Sequence, residues 1–196
     1  MVDTLSKIPA RLYHELIVAG YGGQGVQTLG QILAEAMVLN GNEVVWTPAY
    51  GPEMRGGPSF CTVIMSDRPI GSPVVAHADT AIIMDQPSVA KYQQRLRPTG
   101  RIIYNSTLVK PELLRTDIPT FAVPAGELAE ELGMAQATNM IMLGAFIYLT
   151  KLVSPESILT ALRESLPERK HHLLPLNEQA LILGGQACLS NSCVIE

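Results

Sequence analysis

The order of apolar and polar positions along the chain predicts an α/β fold that opens with a strand, a turn and a helix. Residues 16–19 form a short apolar run that Gly20 ends, and apolar side chains then recur at helical spacing over 25–40. Residues 43–47 have the pattern of a second strand, which Pro48 is expected to end. This order is typical of a βαβ unit whose two strands pair in parallel.

Further strand patterns follow, so the predicted sheet has about five or six strands. These stretches are 59–66, 80–84, 101–104 and 120–123. Helical or irregular pieces are predicted at 87–96 and 127–132, and helices at 140–152, 155–165 and roughly 175–189. We therefore predict one domain over 1–196, an α/β core over 12–125 completed by a mainly helical part over 126–196. The predicted fold class is a three-layer, Rossmann-like α/β/α sandwich with a mostly parallel or mixed sheet.

Composition and charge narrow the classes of function. The chain is 47% hydrophobic and only 16% charged, with a mean hydropathy of +0.19, which suggests surface buried against another chain. A net charge of −4 without a basic run argues against nucleic acid or a membrane surface as partner. The longest apolar stretch, 140–149, is about half the roughly 20 residues that span a bilayer. The N-terminal sequence lacks the features of a signal peptide, so we expect a cytoplasmic protein.

A glycine-rich turn carries the first candidate chemistry. Gly20, Gly22 and Gly25 satisfy the spacing GxGxxG, with Gly23 and Gln24 between them, directly after a strand and before a helix. Such a turn presents backbone N–H groups at a helix N-terminus, where a phosphate or carboxylate is favoured. Dinucleotide binding also needs an acid at the end of the next strand, and that strand ends without one. The alternative is that these glycines serve only tight packing, although the amide of Gln24 suits orienting a neighbouring loop or ligand.

A second glycine-rich loop follows the second predicted strand and should emerge at the same edge of the sheet. It consists of Tyr50, Gly51, Pro52, Glu53, Met54, Arg55, Gly56 and Gly57. The side chains of Glu53 and Arg55 can pair with each other or present opposite charges to a partner. The alternative is a solvated loop with a surface ion pair.

These two loops and three later segments resemble one known family. GYGGQG and YGPEMRGG are followed by SFCTVIMSDRPIGSPVV, HADTAIIMDQPSVAKY and TNMIMLGAF. Together they resemble the gamma subunit of 2-oxoacid:ferredoxin oxidoreductases from Leu16 to Phe146. The family implies an enzyme that converts a 2-oxoacid and coenzyme A to acyl-CoA and CO2, with thiamine diphosphate, Mg²⁺ and iron–sulfur clusters, and with ferredoxin as electron acceptor.

The resemblance also implies where that chemistry lies. This sequence has neither a thiamine-binding motif nor closely spaced cysteines, so the cofactors are expected on alpha and beta subunits, to which a ferredoxin-like delta subunit can be added. No catalytic residue, metal ligand or cofactor is assigned to this chain alone. Its two loops are expected to contact partner subunits or the coenzyme A entrance. The residues concerned are Gly20 and Gly22–Gly25 in the first loop, and Tyr50–Glu53 and Arg55–Gly57 in the second. Tyr21 and Gly57 differ from pyruvate-type relatives and favour a 2-oxoglutarate or branched-chain substrate.

Two other functions stay open on the residues alone: a stand-alone NAD(P)- or FAD-dependent oxidoreductase, and a purely structural binding module. Asp85 and Asn139 are interpreted as helix N-caps. His171 and His172 are interpreted as surface residues rather than metal ligands. The cysteines are expected to be inert thiols. They are Cys61, Cys188 and Cys193.

Overall fold

In the computed structural model, which describes residues 12–50 and 57–190, a six-stranded sheet carries helices on both faces. The strands are β1 (Tyr13–Tyr21), β2 (Glu43–Tyr50), β3 (Pro58–Ser66), β4 (Ala78–Ile83), β5 (Leu96–Asn105) and β6 (Thr120–Val123). The helices are α1 (Val26–Leu39), α2 (Gln86–Tyr92), α3 (Ala125–Glu131), α4 (Thr138–Thr150), α5 (Pro155–Ser165) and α6 (Leu174–Ser190). The predicted α/β class with a mixed sheet is confirmed.

The sheet order, β2-β3-β1-β4-β5-β6, corrects the predicted parallel pairing of the first two strands. β3 lies between β1 and β2 and is antiparallel to both, while β4, β5 and β6 continue from β1 in parallel. The residues explain this insertion. Six consecutive residues of β3 are buried, which suits an interior position, whereas β2 has exposed or half-buried side chains and lies at the edge.

Pro48 does not end β2, contrary to the sequence expectation. The strand continues to Tyr50, and Pro48 lies opposite Cys61 of β3. Proline cannot donate a backbone hydrogen bond, so within sheets it is confined mostly to edge strands. The edge position of β2 is what makes Pro48 compatible with a strand.

The two faces of the sheet are covered unequally. Apolar side chains of α1, α3, α4, α5 and α6 form one large core against the sheet. On the other face, Val89 and Tyr92 of α2 join side chains from irregular segments in a smaller core. Helix α4 is apolar on nearly all sides, and it is buried between the sheet, α3 and α6.

Candidate functional site

The carboxyl ends of β1, β2, β4, β5 and β6 meet at one edge of the sheet, and β3 begins there. The helices that follow β1 and β4 pack on opposite faces, so a crevice opens between these two neighbouring strands. In open α/β sheets such a change of direction is the usual place for a ligand. The glycine-rich turn follows β1 at this crevice.

The two predicted loops are adjacent. The backbone N–H of Gly22 donates a hydrogen bond to the carbonyl of Gly57 over 2.8 Å. Five predicted site residues, Gly51, Pro52, Glu53, Arg55 and Gly56, lie outside the described residues, as does the side chain of Tyr50. The shared edge is thus established at Gly22 and Gly57.

Close packing requires glycine at two positions of the turn. A Cβ atom on Gly20 would lie 2.3 Å from Oε1 of Gln24. Gly25 precedes α1 with a φ of 76°, and a Cβ there would lie 2.5 Å from Nδ2 of Asn139. Gly23 also has a positive φ, 110°, but open space around its Cβ position. Close neighbours therefore favour glycine at Gly20 and Gly25, and the positive φ favours it at Gly23 and Gly25.

Gln24 joins the ends of two strands. Its Oε1 accepts from the backbone N–H of Tyr21 over 3.0 Å, and its Nε2 donates to the carbonyl of Met84 over 3.0 Å. Both ends of the amide are therefore used inside the chain. Gln24 thus orients a neighbouring segment, the residue after β4, which is one of the two roles predicted for it.

Asn139 corrects a sequence expectation. It is not the N-cap of α4, because the helix begins at Thr138 and has no side-chain cap. Asn139 is buried, and its Nδ2 donates to the carbonyl of Gly25 over 3.4 Å. The side chain joins the helical part of the chain to the glycine-rich turn. Asp85, in contrast, caps α2 as expected, with Oδ1 accepting from the N–H of Ser88 over 3.2 Å.

Two small clefts flank the turn, and Tyr21 and Leu108 line both. One, of about 230 Å³, lies between the turn, the segment after β5 and the start of α4. The other, of about 370 Å³, extends to Asp85 and Pro87. Of the described residues that line them, none is basic, and Glu130 and Asp85 are acidic. Within the described residues, an anion in these clefts would thus be bound through backbone N–H groups, those before α1 among them.

Asn105 is a candidate that sequence reasoning missed. It is the last residue of β5, fully buried, and lines the smaller cleft. Its Oδ1 accepts from the N–H of Thr107 over 3.2 Å, but its Nδ2 has no hydrogen-bond partner. Buried donors are rarely left unpaired, so this amide is suited to an acceptor atom of a ligand. The signal in the sequence that could have identified Asn105 was its place as a polar residue at the carboxyl end of an apolar strand.

The other candidates lie away from this edge or are unreactive. Burial raises the pKa of Cys61 to about 12 and that of Cys188 to about 11, so both stay thiols at neutral pH. Cys193 lies outside the described residues. The Nε2 atom of His171 is 2.9 Å from the carbonyl oxygen of Leu166, and His172 is exposed. Across 12–50 and 57–190, no group of three or more His, Cys, Asp or Glu residues could hold a metal ion.

The strand order also weakens the dinucleotide alternative. The ribose-binding acid of that fold is carried by the strand beside the first strand, whereas here β3 separates β2 from β1. No acidic residue follows Glu43 within β2.

None of the described helices is long and apolar enough to cross a membrane.

Together these features define a Rossmann-like domain with a glycine-rich turn and two small clefts at the carboxyl edge of a mixed sheet. Residues 15–187 match the family model described as pyruvate ferredoxin/flavodoxin oxidoreductase. The chain belongs to this family, as its motifs predicted.

Named relatives share most of the chain. It is 34% identical over 167 residues to the 2-oxoglutarate synthase subunit KorC of Methanocaldococcus jannaschii, covering 84% of this chain and 89% of KorC. It is 39% identical over 132 residues to the ketoisovalerate oxidoreductase subunit VorA of Methanothermobacter thermautotrophicus. That match covers 67% of this chain but only 27% of VorA.

A solved structure agrees with the fold. The gamma subunit of the keto/oxoacid ferredoxin oxidoreductase of Geobacter sulfurreducens superposes with a TM-score of 0.80 at 30% identity. The match covers 92% of this chain and 99% of that one. All three relatives are named as subunits, one of a 2-oxoglutarate synthase and two of oxidoreductases, and they do not favour a stand-alone NAD(P)- or FAD-dependent enzyme.

Proposed function

We propose that this chain is the gamma subunit of a 2-oxoacid:ferredoxin oxidoreductase. In that reaction the 2-oxoacid loses CO2, its acyl group is transferred to the sulfur of coenzyme A, and the electrons released pass to ferredoxin. The observation that carries the proposal is the contrast between two relatives. This chain matches 89% of KorC but only 27% of VorA, so the same kind of segment is found as a separate subunit and within a longer chain. A segment with both arrangements is expected to function in contact with the rest of the assembly.

The chemistry of the described residues supports a division of labour between subunits. The two cysteines in the described part of the chain are buried, with pKa values raised to about 12 and about 11, and they lie in separate elements. Such thiols do not suit cluster ligation, which needs closely spaced thiolates. In the proposed complex, thiamine diphosphate, Mg²⁺ and the iron–sulfur clusters belong to alpha, beta and delta-type subunits. Ferredoxin is the electron acceptor, and the proposed location of the complex is the cytoplasm.

At the carboxyl edge, this subunit shapes the entrance for coenzyme A. The glycine-rich turn precedes a helix whose first turn has no side-chain cap, which suits the diphosphate of that ligand. The unpaired Nδ2 of Asn105 adds a donor for an oxygen or ring nitrogen. The substrate class is 2-oxoglutarate or a branched-chain 2-oxoacid, in agreement with Tyr21 and Gly57 and with the names of KorC and VorA.

Reconstitution tests this function. The thiamine-carrying subunits are assayed for 2-oxoacid- and coenzyme A-dependent reduction of ferredoxin, with and without this chain. We expect turnover only in the mixture and none by the isolated chain, because its described residues provide no redox group. Turnover by the isolated chain, or full turnover by the other subunits without it, would contradict the proposal.

Arg55 separates a coenzyme contact from a docking role. Its guanidinium can form paired hydrogen bonds to a phosphate or carboxylate, and losing one charge-assisted contact corresponds to roughly 1.4 kcal/mol, or about tenfold. We expect Arg55→Ala to leave the melting temperature of the isolated chain unchanged and to raise KM for coenzyme A about tenfold. Arg68→Ala, an exposed arginine beyond the opposite end of β3, is the matched control.

Weaker assembly of Arg55→Ala with normal kinetics at saturating subunit would assign Arg55 to docking instead. If both arginine variants assemble and turn over like the wild type, the second loop has no functional role through Arg55.

A further inference from the structure

Gln27 connects the start of α1 to the base of the second loop. Its Nε2 lies 2.9 Å from the carbonyl oxygen of Phe60, 3.1 Å from that of Ala49 and 3.1 Å from Oγ of Ser59. Ala49 and Phe60 are opposite each other in the pairing of β2 with β3. A single carboxamide therefore holds both strands where the loop between them begins and ends.

The orientation of the Gln27 side-chain amide carries a free-energy cost, and this cost indicates which of its contacts determine the orientation. Its Oε1 is buried and has no hydrogen-bond partner. A buried acceptor without a partner is unfavourable, and rotating the amide would only bring its oxygen against two carbonyl oxygens. The geometry thus favours the Nε2 contacts at the expense of Oε1.

A second contact joins the same two parts of the chain from the other side of the helix start. Gly22, before α1, donates its N–H to the carbonyl of Gly57. Gln27, within the first turn of α1, binds Ala49 and Phe60. The glycine-rich turn is consequently attached to the β2–β3 connection both before and after its own helix begins.

We propose that Gln27 is a positioning residue, whose carboxamide holds the facing ends of β2 and β3 in one arrangement relative to the glycine-rich turn, so that a ligand binds to an edge of the sheet that is already ordered. The consequence for the enzyme depends on the function proposed above, whereas the contact itself does not. Glutamine suits the position because its side chain provides two N–H groups for carbonyl acceptors. Ionised glutamate has no such donor, and methionine has a side chain of similar length but also no donor.

The isolated chain tests the contact. Backbone hydrogen exchange at Gly57, Ser59 and Phe60 is compared in wild type, Gln27→Met, Gln27→Glu and the control Gln31→Met. Gln31 lies one turn further along α1 and is exposed, and its side chain donates a hydrogen bond to Glu35. We expect at least about tenfold faster exchange in both Gln27 variants at pH 7.5 and wild-type exchange in the control.

Acidification distinguishes a specific contact from general loosening. At pH 7.5 the carboxylate introduced by Gln27→Glu would face two carbonyl oxygens, and that repulsion raises the pKa of the new side chain. On lowering the pH to 5, relative to wild type at the same pH, exchange in Gln27→Glu should slow as the protonated carboxyl regains a donor. Gln27→Met should show no such recovery. Equal exchange in all variants, or no recovery of Gln27→Glu, would overturn the contact's role.

The assembled enzyme tests the consequence. With wild-type turnover established, Gln27→Met should raise KM for coenzyme A about tenfold with little change in kcat, and Gln31→Met should match wild type. Faster exchange together with an unchanged KM would overturn the positioning role. An inactive wild-type complex would count against the proposed function, and the exchange and acidification results alone would then decide whether Gln27 holds the loop.

Discussion

The environment of His14 shows how the fold sets the properties of a single residue. His14 lies near the start of β1, at the end of the sheet opposite the glycine-rich turn. Its Nε2 is 3.1 Å from Oγ1 of Thr80, and its ring packs edge-on against Phe146. Burial lowers the pKa of His14 to about 4; Asp79 opposes this shift, and two nearby arginines add to it.

This shift predicts a pH dependence of stability. The folded-state pKa lies below the unfolded value of about 6.5, so the unfolded chain binds more protons between these values. Above about pH 6.5, where His14 is neutral in both states, it does not reduce the free energy of unfolding. As the pH falls toward 4, protonation of the unfolded chain lowers that free energy by at most about 3 kcal/mol. Urea unfolding of wild type and His14→Gln between pH 7 and pH 5 measures it.

We expect the stability of His14→Gln to change less over that range than that of wild type. His77→Gln, at an exposed histidine, is the control and should retain the wild-type slope. Parallel curves for wild type and His14→Gln would show that His14 does not contribute.

At the scale of elements, glycines allow α4 and α6 to pack with their backbones in contact. A Cβ on Gly144 of α4 would lie 2.1 Å from the carbonyl oxygen of Leu181. One on Gly184 of α6 would lie 1.8 Å from that of Ile141. Neither oxygen belongs to a movable side chain, so the helices would have to separate to admit a methyl group.

Two adjacent glycines of α6 provide a matched test of this packing. In an open helix, alanine is favoured over glycine by about 1 kcal/mol. Gly184→Ala should instead destabilise the chain by more than about 3 kcal/mol in urea unfolding, because it strikes the backbone of Ile141. Gly185→Ala should cost less, since its Cβ would meet the side chain of Tyr148, which can change its χ1 rotamer, whereas a backbone carbonyl cannot move away without displacing the helix. Equal losses would contradict the proposed backbone contact.

At the scale of the whole molecule, the apolar content is distributed unevenly. The core shared with α1 and α3–α6 is deep, whereas α2 is the sole α-helix of the described chain in the core on the opposite face. Val45 and Phe60, which pack against this smaller core, remain half-buried, and Val74 is 71% exposed. The high hydrophobic fraction of the sequence therefore serves mainly one side of the sheet.

The sequence alone determined the local features, which depend on residues close to one another along the chain. Examples are Asp85 as the cap of α2, the bounds of α5 at 155–165 and the four residues of β6, which follow from local hydrogen bonding and apolar spacing. The position of the glycine-rich turn, after a strand and before a helix, was predicted for the same reason. The family resemblance rested on such local motifs as well.

Only the tertiary structure decided how distant segments meet. The place of β3 between β1 and β2 depends on which strand can be buried on both sides, and that is a comparison across the whole sheet. Asn139 reaches Gly25 across 114 positions, and Gln27 reaches Phe60 across 33. Apolar periodicity shows which side of an element is buried but not which element covers it. The contacts that hold the candidate site together therefore became visible only once the sheet had brought its strand ends to one edge.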